Sequence, residues 1–217
     1  ETTKLPEFLN FSKGTNGRAL AVRKKIKGSS DQINLAKVHK IFFITRRDTV
    51  VAPIAKLSPE QAAAYFMLGE SIETSAGDPS KAGQPKHEVG FNPFIIGTEE
   101  KEGQRLLDIV KANKIECYLL NTGSIGKGGD AGLGHKKITQ PVSSKLIEAV
   151  SRATIQWEKD PFWGYEIAKE VPGMANWQNE YNPRLYYSAN LYNHLTQELM
   201  KERKVFLAAY NFQLTTF

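Results

Sequence analysis

Apolar positions in this chain fall into short runs separated by polar stretches that carry Gly and Pro. Ile41-Phe42-Phe43-Ile44 is a continuous apolar run ending in Thr45-Arg46-Arg47-Asp48, which predicts a buried strand over 41–45 closed by a polar turn. A connector bearing Pro53 follows. Ser58-Pro59-Glu60-Gln61 then opens a helix over 59–69: Ser58 caps it, Pro59 takes the first helical position, and the acidic first turn suits the helix dipole. Residues 18–26 alternate loosely and read as a possible strand, followed by a turn over 27–31. Apolar spacing predicts helices over 100–113 and 141–154 and a strand over 115–120. A Pro- and Trp-rich stretch covers 157–184, and a long helix spans roughly 185–210. Residues 71–93 are rich in Gly, Pro, Ser and Asp, too long for a simple turn, and loops of that length are usually functional or mobile. The mix of elements indicates an α/β (mixed α+β) fold in one domain over 1–217.

Composition is ordinary for a globular protein: 217 residues, 41% hydrophobic and 24% charged, enough to bury a core without staples. No apolar run approaches the ~20 residues of a membrane helix, so no membrane partner is expected. The chain starts with Glu1 and no signal-peptide pattern follows, which reads as a processed chain or excised fragment. The single cysteine, Cys117, sits in an apolar run and reads as a small buried hydrophobe. Lack of disulfides fits a cytoplasmic setting. Net charge is +6, and between Lys13 and Arg47 ten basic residues face one carboxylate, Asp31. Such a block can meet nucleic acid or small anions such as nucleotides and phosphorylated acids, while most of these lysines read as a solvated face plus a loop. No recognised nucleic-acid motif accompanies it, so nucleic acid is not the expected partner.

Candidate chemistry concentrates after the strand at 115–120, where six glycines fall between positions 123 and 134. Glycine lets backbone N–H groups approach an anion closely. The spacing is neither G-x-x-x-x-G-K-[ST] nor G-x-G-x-x-G, and on residues alone a ligand-facing loop and a flexible connector both stay open. Arg46 and Arg47 end a strand, where α/β sheets place ligand groups, yet a solvated turn explains them as well. Glu70 and Glu73 fit either acid/base work or a polar helix end. His39, His87, His135 and His194 show no metal-ligand spacing, so no metal site is expected from this chain. Trp157, Trp163 and Trp177 read as core and packing surface.

As strings of residue types, several segments resemble ATP-dependent phosphoenolpyruvate carboxykinases. Residues 41–77 resemble the family segment where a strand with a polar end leads through a Pro-containing connector into "LT/SPEQA". Leu120-Asn121-Thr122-Gly123 resembles the start of the family's "NTGW-x-GG". Gly134-His135-Lys136-Lys137-Ile138-Thr139 occupies the place of "GKRI", which enters a helix beside the nucleotide. Asn16-Gly17-Arg18 resembles the end of "ENTR". The resemblance covers roughly residues 15–210 and corresponds to the C-terminal part of the enzyme.

It implies a nucleotide-binding domain of the carboxykinase type, with a mixed sheet flanked by helices and a long C-terminal helix. Lys137 stands where the family has an arginine near adenosine, Ile138 lines the base, and Ser143 replaces a base-side threonine. Thr122 and Gly123 belong to the same nucleotide-binding set. The resemblance implies that Arg18 is the catalytic arginine that touches the transferring phosphoryl group and substrate; on residues alone an ordinary surface arginine stays open. Ser124 replaces the family tryptophan, and lysine at 137 cannot fork as arginine does. The implied ligands are ATP and oxaloacetate or phosphoenolpyruvate, with Mg2+ and Mn2+ expected only in the full-length enzyme. The family's phosphate loop and metal ligands lie upstream of the matching region, so a missing N-terminal domain is an expected partner and the fragment alone is expected to be inactive. A non-catalytic binding or scaffold domain that kept the fold is the alternative.

Overall fold

A computed structural model of the chain describes residues 20–73, 79–81, 84–92 and 94–212. The chain divides into two compact units: Glu1–Lys37 with Ile72–Lys86, and Val38–Ser71 with His87–Phe217. In the first unit the described residues carry only short elements. The strand expected over 18–26 does not form in its described part: residues 20–26 hold a single 3-10 turn at Arg23–Lys25. Leu20, Val22 and Ile26 are exposed, so their alternation buries no face and no strand pairs with them. The Arg23 guanidinium instead reaches the Ser30 and Asp31 carbonyls, and Lys86 pairs with Glu73 at 3.4 Å.

In chain order the strands and α-helices are β1 (Lys40–Thr45), β2 (Ile54–Leu57), α1 (Pro59–Leu68), β3 (Glu70–Ile72), β4 (Pro85–His87), α2 (Glu99–Asn113), β5 (Glu116–Asn121), β6 (Ser124–Ile125), β7 (Lys136–Lys137), α3 (Gln140–Ser151), β8 (Gln156–Lys159), β9 (Glu166–Glu170), α4 (Trp177–Tyr181) and α5 (Ala189–Ala208). The second unit is built on a five-stranded mixed sheet ordered β1-β5-β2-β9-β8. Only β1 and β5 run parallel, in the register Thr45 opposite Asn121. The α/β fold expected from the sequence is the observed one, with its flanking helices and long C-terminal helix. Among the described residues no helix is long and apolar enough to cross a membrane.

β2 escapes the sequence reading because Pro53 precedes it and it has only four residues. It is nonetheless hydrogen-bonded on both sides, to β5 and β9. β8 and β9 are largely polar. Trp157, on β8, packs tilted against Tyr118 with ring centroids 5.8 Å apart. α1 forms as its sequence dictates: Ser58 accepts from the Gln61 N–H, and the Gln61 side chain accepts from the Ser58 N–H, closing a capping box. It stops at Gly69, whose φ is 48°. A Cβ there would run into the Glu88 carbonyl, so only glycine makes this turn. Cys117 is buried and free, and desolvation pushes its thiol up to about 11.

One ion pair in the unit is almost wholly buried. Arg203 of α5 is fully enclosed and Glu70 at the start of β3 is 3% exposed. The guanidinium grips the carboxylate through two nitrogens, at 2.7 and 2.9 Å, and donates to the Tyr65 hydroxyl at 3.0 Å. It also lies 5.0 Å from the ring centroids of both Tyr65 and Trp163, the geometry of a cation–π contact. Arg47 and Thr45 add hydrogen bonds to Glu70 at 2.9 and 3.1 Å. Burial alone would raise the Glu70 pKa, but the charges and hydrogen bonds of Arg203, then Arg47, reverse this and hold it far below the ordinary value of 4.5. Burial likewise pushes the Tyr65 phenol up to about 12, so it stays neutral.

Removing one partner strands a buried charge, so Arg203→Ala is expected to cost about 3–5 kcal/mol in urea unfolding. Arg203→Met combined with Glu70→Gln should cost less than the sum of the two single changes. Because the folded-state pKa of Glu70 is depressed, its stabilisation is present above the unfolded value and fades as the pH falls below 4.5 toward the folded value. Glu70→Gln should therefore flatten the acid limb of a stability–pH curve, and an unchanged limb would contradict this assignment.

Candidate functional site

The parallel strands β1 and β5 end side by side, and the chain leaving each is stitched to the other. The Thr122 N–H donates to the Thr45 carbonyl at 2.9 Å, and the Ser124 N–H to the Arg47 carbonyl at 3.0 Å. Asn121, fully buried, is the hub. Its Oδ1 accepts from the N–H groups of Arg47 and Gly123, both at 3.0 Å. Its Nδ2 donates to the carbonyls of Val51 and Ser124, at 3.0 and 3.4 Å. Every hydrogen-bonding capacity of the amide is used, so the two strand ends are fixed against each other.

The Gly-rich segment closes on itself. Ser124 pairs with Lys137 and Ile125 with Lys136 as β6 and β7, and the Ile138 N–H donates to the Gly123 carbonyl at 3.0 Å. Residues 127–135 therefore form an exposed excursion, while 122–125 and 136–138 lie together at its base. α3 starts directly afterwards, with no acidic residue in its first turn.

A cavity of about 520 Å³ opens here, lined by Arg46, Thr122, Lys137, Ile138, Thr139, Gln140 and Ser143. Four residues chosen from the sequence, Thr122, Lys137, Ile138 and Ser143, thus line one cavity. Ile138 is 2% exposed and also belongs to the core. Gly123 is not in the lining. It is buried beneath, and a Cβ there would strike the Arg47 carbonyl, so its glycine is explained by the close approach of the two strand ends. Arg18 lies outside the described residues.

The sequence reading did not separate Arg46 from Arg47. Arg47 is tied to Glu70 and to Glu202, at 2.9 and 2.8 Å, while Arg46 lines the cavity. Asn121 was visible only as part of a motif, because its role appears once the four chain segments it joins are known.

A sequence model described as phosphoenolpyruvate carboxykinase matches residues 1–176. The chain belongs to the phosphoenolpyruvate carboxykinase family. Phosphoenolpyruvate carboxykinase (ATP) of Aeropyrum pernix is 34% identical over 205 residues, which cover 93% of this chain and 39% of the relative. The carboxykinases (ATP) of Rhodopseudomonas palustris (strain BisB5) and Chelativorans sp. (strain BNC1) are each 27% identical, over 81% and 78% of this chain and 33% and 32% of theirs. The chain thus spans 32–39% of the length of these carboxykinases.

The cavity combines a buried apolar residue, Ile138, with hydroxyls and two cations, and no carboxylate lies in its lining. Among the described residues no group of three or more His, Cys, Asp and Glu side chains is placed to hold a metal ion.

Asn121→Ala would leave two backbone N–H groups and two carbonyls without their partner. A loss of about 2–3 kcal/mol is expected, together with faster amide exchange at Arg47 and Gly123 while Leu119 in mid-strand stays protected. Equal acceleration at all three would show a global rather than local effect.

Proposed function

We propose that this chain is the nucleotide-facing, C-terminal part of an ATP-dependent phosphoenolpyruvate carboxykinase. The whole enzyme would convert oxaloacetate and ATP into phosphoenolpyruvate, carbon dioxide and ADP, the gluconeogenic direction. The observation that carries the reading is the cavity at the ends of β1 and β5, which gathers Thr122, Lys137, Ile138 and Ser143, residues that the family resemblance assigns to the nucleotide. In this reading Ile138 packs against the base, Lys137 and the hydroxyls of Thr122 and Ser143 hold polar parts of the nucleotide, and Gly123 shapes the turn beneath. The amino end of α3 adds a partial positive charge favourable to an anion. Arg18 contributes the substrate arginine, supported by the Asn16-Gly17-Arg18 match alone. A guanidinium between two anionic groups stabilises charge passing from one to the other.

Phosphoryl transfer depends on positioning together with metal neutralisation of phosphate charge. The pattern G-x-x-x-x-G-K-[ST] does not occur in these 217 residues. The phosphate loop and the Mg2+ and Mn2+ sites are therefore assigned to the remainder of a full-length enzyme, and the chain alone is inactive.

Calorimetric titration with ATP, and with GTP for comparison, tests this. ATP should bind, and Lys137→Ala should weaken it by about tenfold, roughly one charge-assisted hydrogen bond. ATP binding unchanged by Lys137→Ala would remove the cavity from the nucleotide site. No binding of either nucleotide would favour a domain that kept the fold without the chemistry. Formation of phosphoenolpyruvate by the isolated chain would refute its inactivity.

A further inference from the structure

Two pairs of neighbouring cations border the cavity, and each divides in the same way. Arg47 is ion-paired with Glu70 and Glu202. Lys136 is ion-paired with Glu180 at 2.6 Å and lies over the Tyr181 ring. Their neighbours Arg46 and Lys137 line the cavity, and among the described residues neither makes an ion pair or a side-chain hydrogen bond. Alternation explains the division. Thr45 and Arg47 both reach Glu70, so Arg46 between them projects from the opposite side of the chain. The carboxylate nearest in sequence, Asp48, is already engaged by the Ser124 hydroxyl at 2.9 Å and by Lys127 at 3.9 Å.

Arg46 and Lys137 are both exposed cations on a cavity with no carboxylate in its lining, so a bound group that carries negative charge is favoured there. The lining runs from Arg46 at the end of β1, past Thr122, to Lys137 and Ile138 and on to the first turn of α3. A nucleotide with its base on Ile138 and its phosphates directed toward the end of β1 would bring them to Arg46. There the planar guanidinium matches a phosphate with two parallel hydrogen bonds, which an ammonium does not. Resting on the nucleotide reading above, we propose that Arg46 is a specificity-determining residue that reads the phosphate chain of the nucleotide, while Lys137 and Ile138 hold its adenosine part.

NMR-detected titration of the whole chain with adenosine, AMP, ADP and ATP at constant ionic strength tests the proposal. Affinity should rise with phosphate number. Arg46→Ala should weaken ATP by roughly tenfold, about 1.4 kcal/mol, and leave adenosine within about twofold. Arg46→Lys should fall between, since it keeps charge but not the fork. Unchanged ATP binding in Arg46→Ala, or equal weakening of ATP and adenosine, overturns the role given to Arg46 while leaving the nucleotide site standing. Equal affinity of the native chain for adenosine and ATP also overturns it. A native chain that binds none of the four compounds overturns the nucleotide reading itself, and this one with it.

Discussion

Glu70 meets two guanidiniums and a hydroxyl in a place with almost no access to solvent, and the second unit is organised around that contact. Arg203 comes from α5, Tyr65 from α1, Trp163 from the turn between β8 and β9, and Thr45 and Arg47 from the end of β1. A buried ion pair is weak evidence for net stability, because desolvating both charges offsets much of their attraction. Its clearer effect is on placement. A charge that cannot be left unpaired admits few alternatives for the elements that supply its partners, so α5 and the end of β1 are held to α1 and the start of β3.

The site follows from this placement. With Thr45 and Arg47 committed to Glu70, the direction of Arg46 is no longer free. Asn121 then fixes the end of β5 against the end of β1 through its four hydrogen bonds. Gly123 allows the contact because it has no side chain to keep the strand ends apart. The cavity is the space left where these ends meet the start of α3, so its shape is set mainly by buried residues that do not line it.

Much of this was legible along the chain. The strand at 41–45, the cap at Ser58 and the stop near Gly69 rest on local signals, and each appears within a residue or so of its expected place. The α3 start and the β5 strand were readable for the same reason. β2 was not, since a four-residue strand behind a proline looks like a connector until its two neighbours are known. β8 and β9 are too polar to announce themselves. The Glu70–Arg203 pair joins residues 133 positions apart, and nothing local marks either as buried. The cavity residues were found through a family resemblance rather than periodicity. Arg46 and Arg47 were indistinguishable because their difference depends on which face of the strand meets Glu70.

The doubled cations leave both segments intolerant of small changes of chain length. Side chains along an extended strand alternate with a period of two, so a slip of one position sends every group to the wrong face. At Arg46-Arg47 a slip would bring either Thr45 to the cavity or Asp48 to Glu70, and at Lys136-Lys137 either His135 to Glu180 or Ile138 into the place of Lys137. One cation of each pair keeps a role after such a slip and the other loses it, so repetition of a residue type is no insurance here and the flanking residues enforce the register.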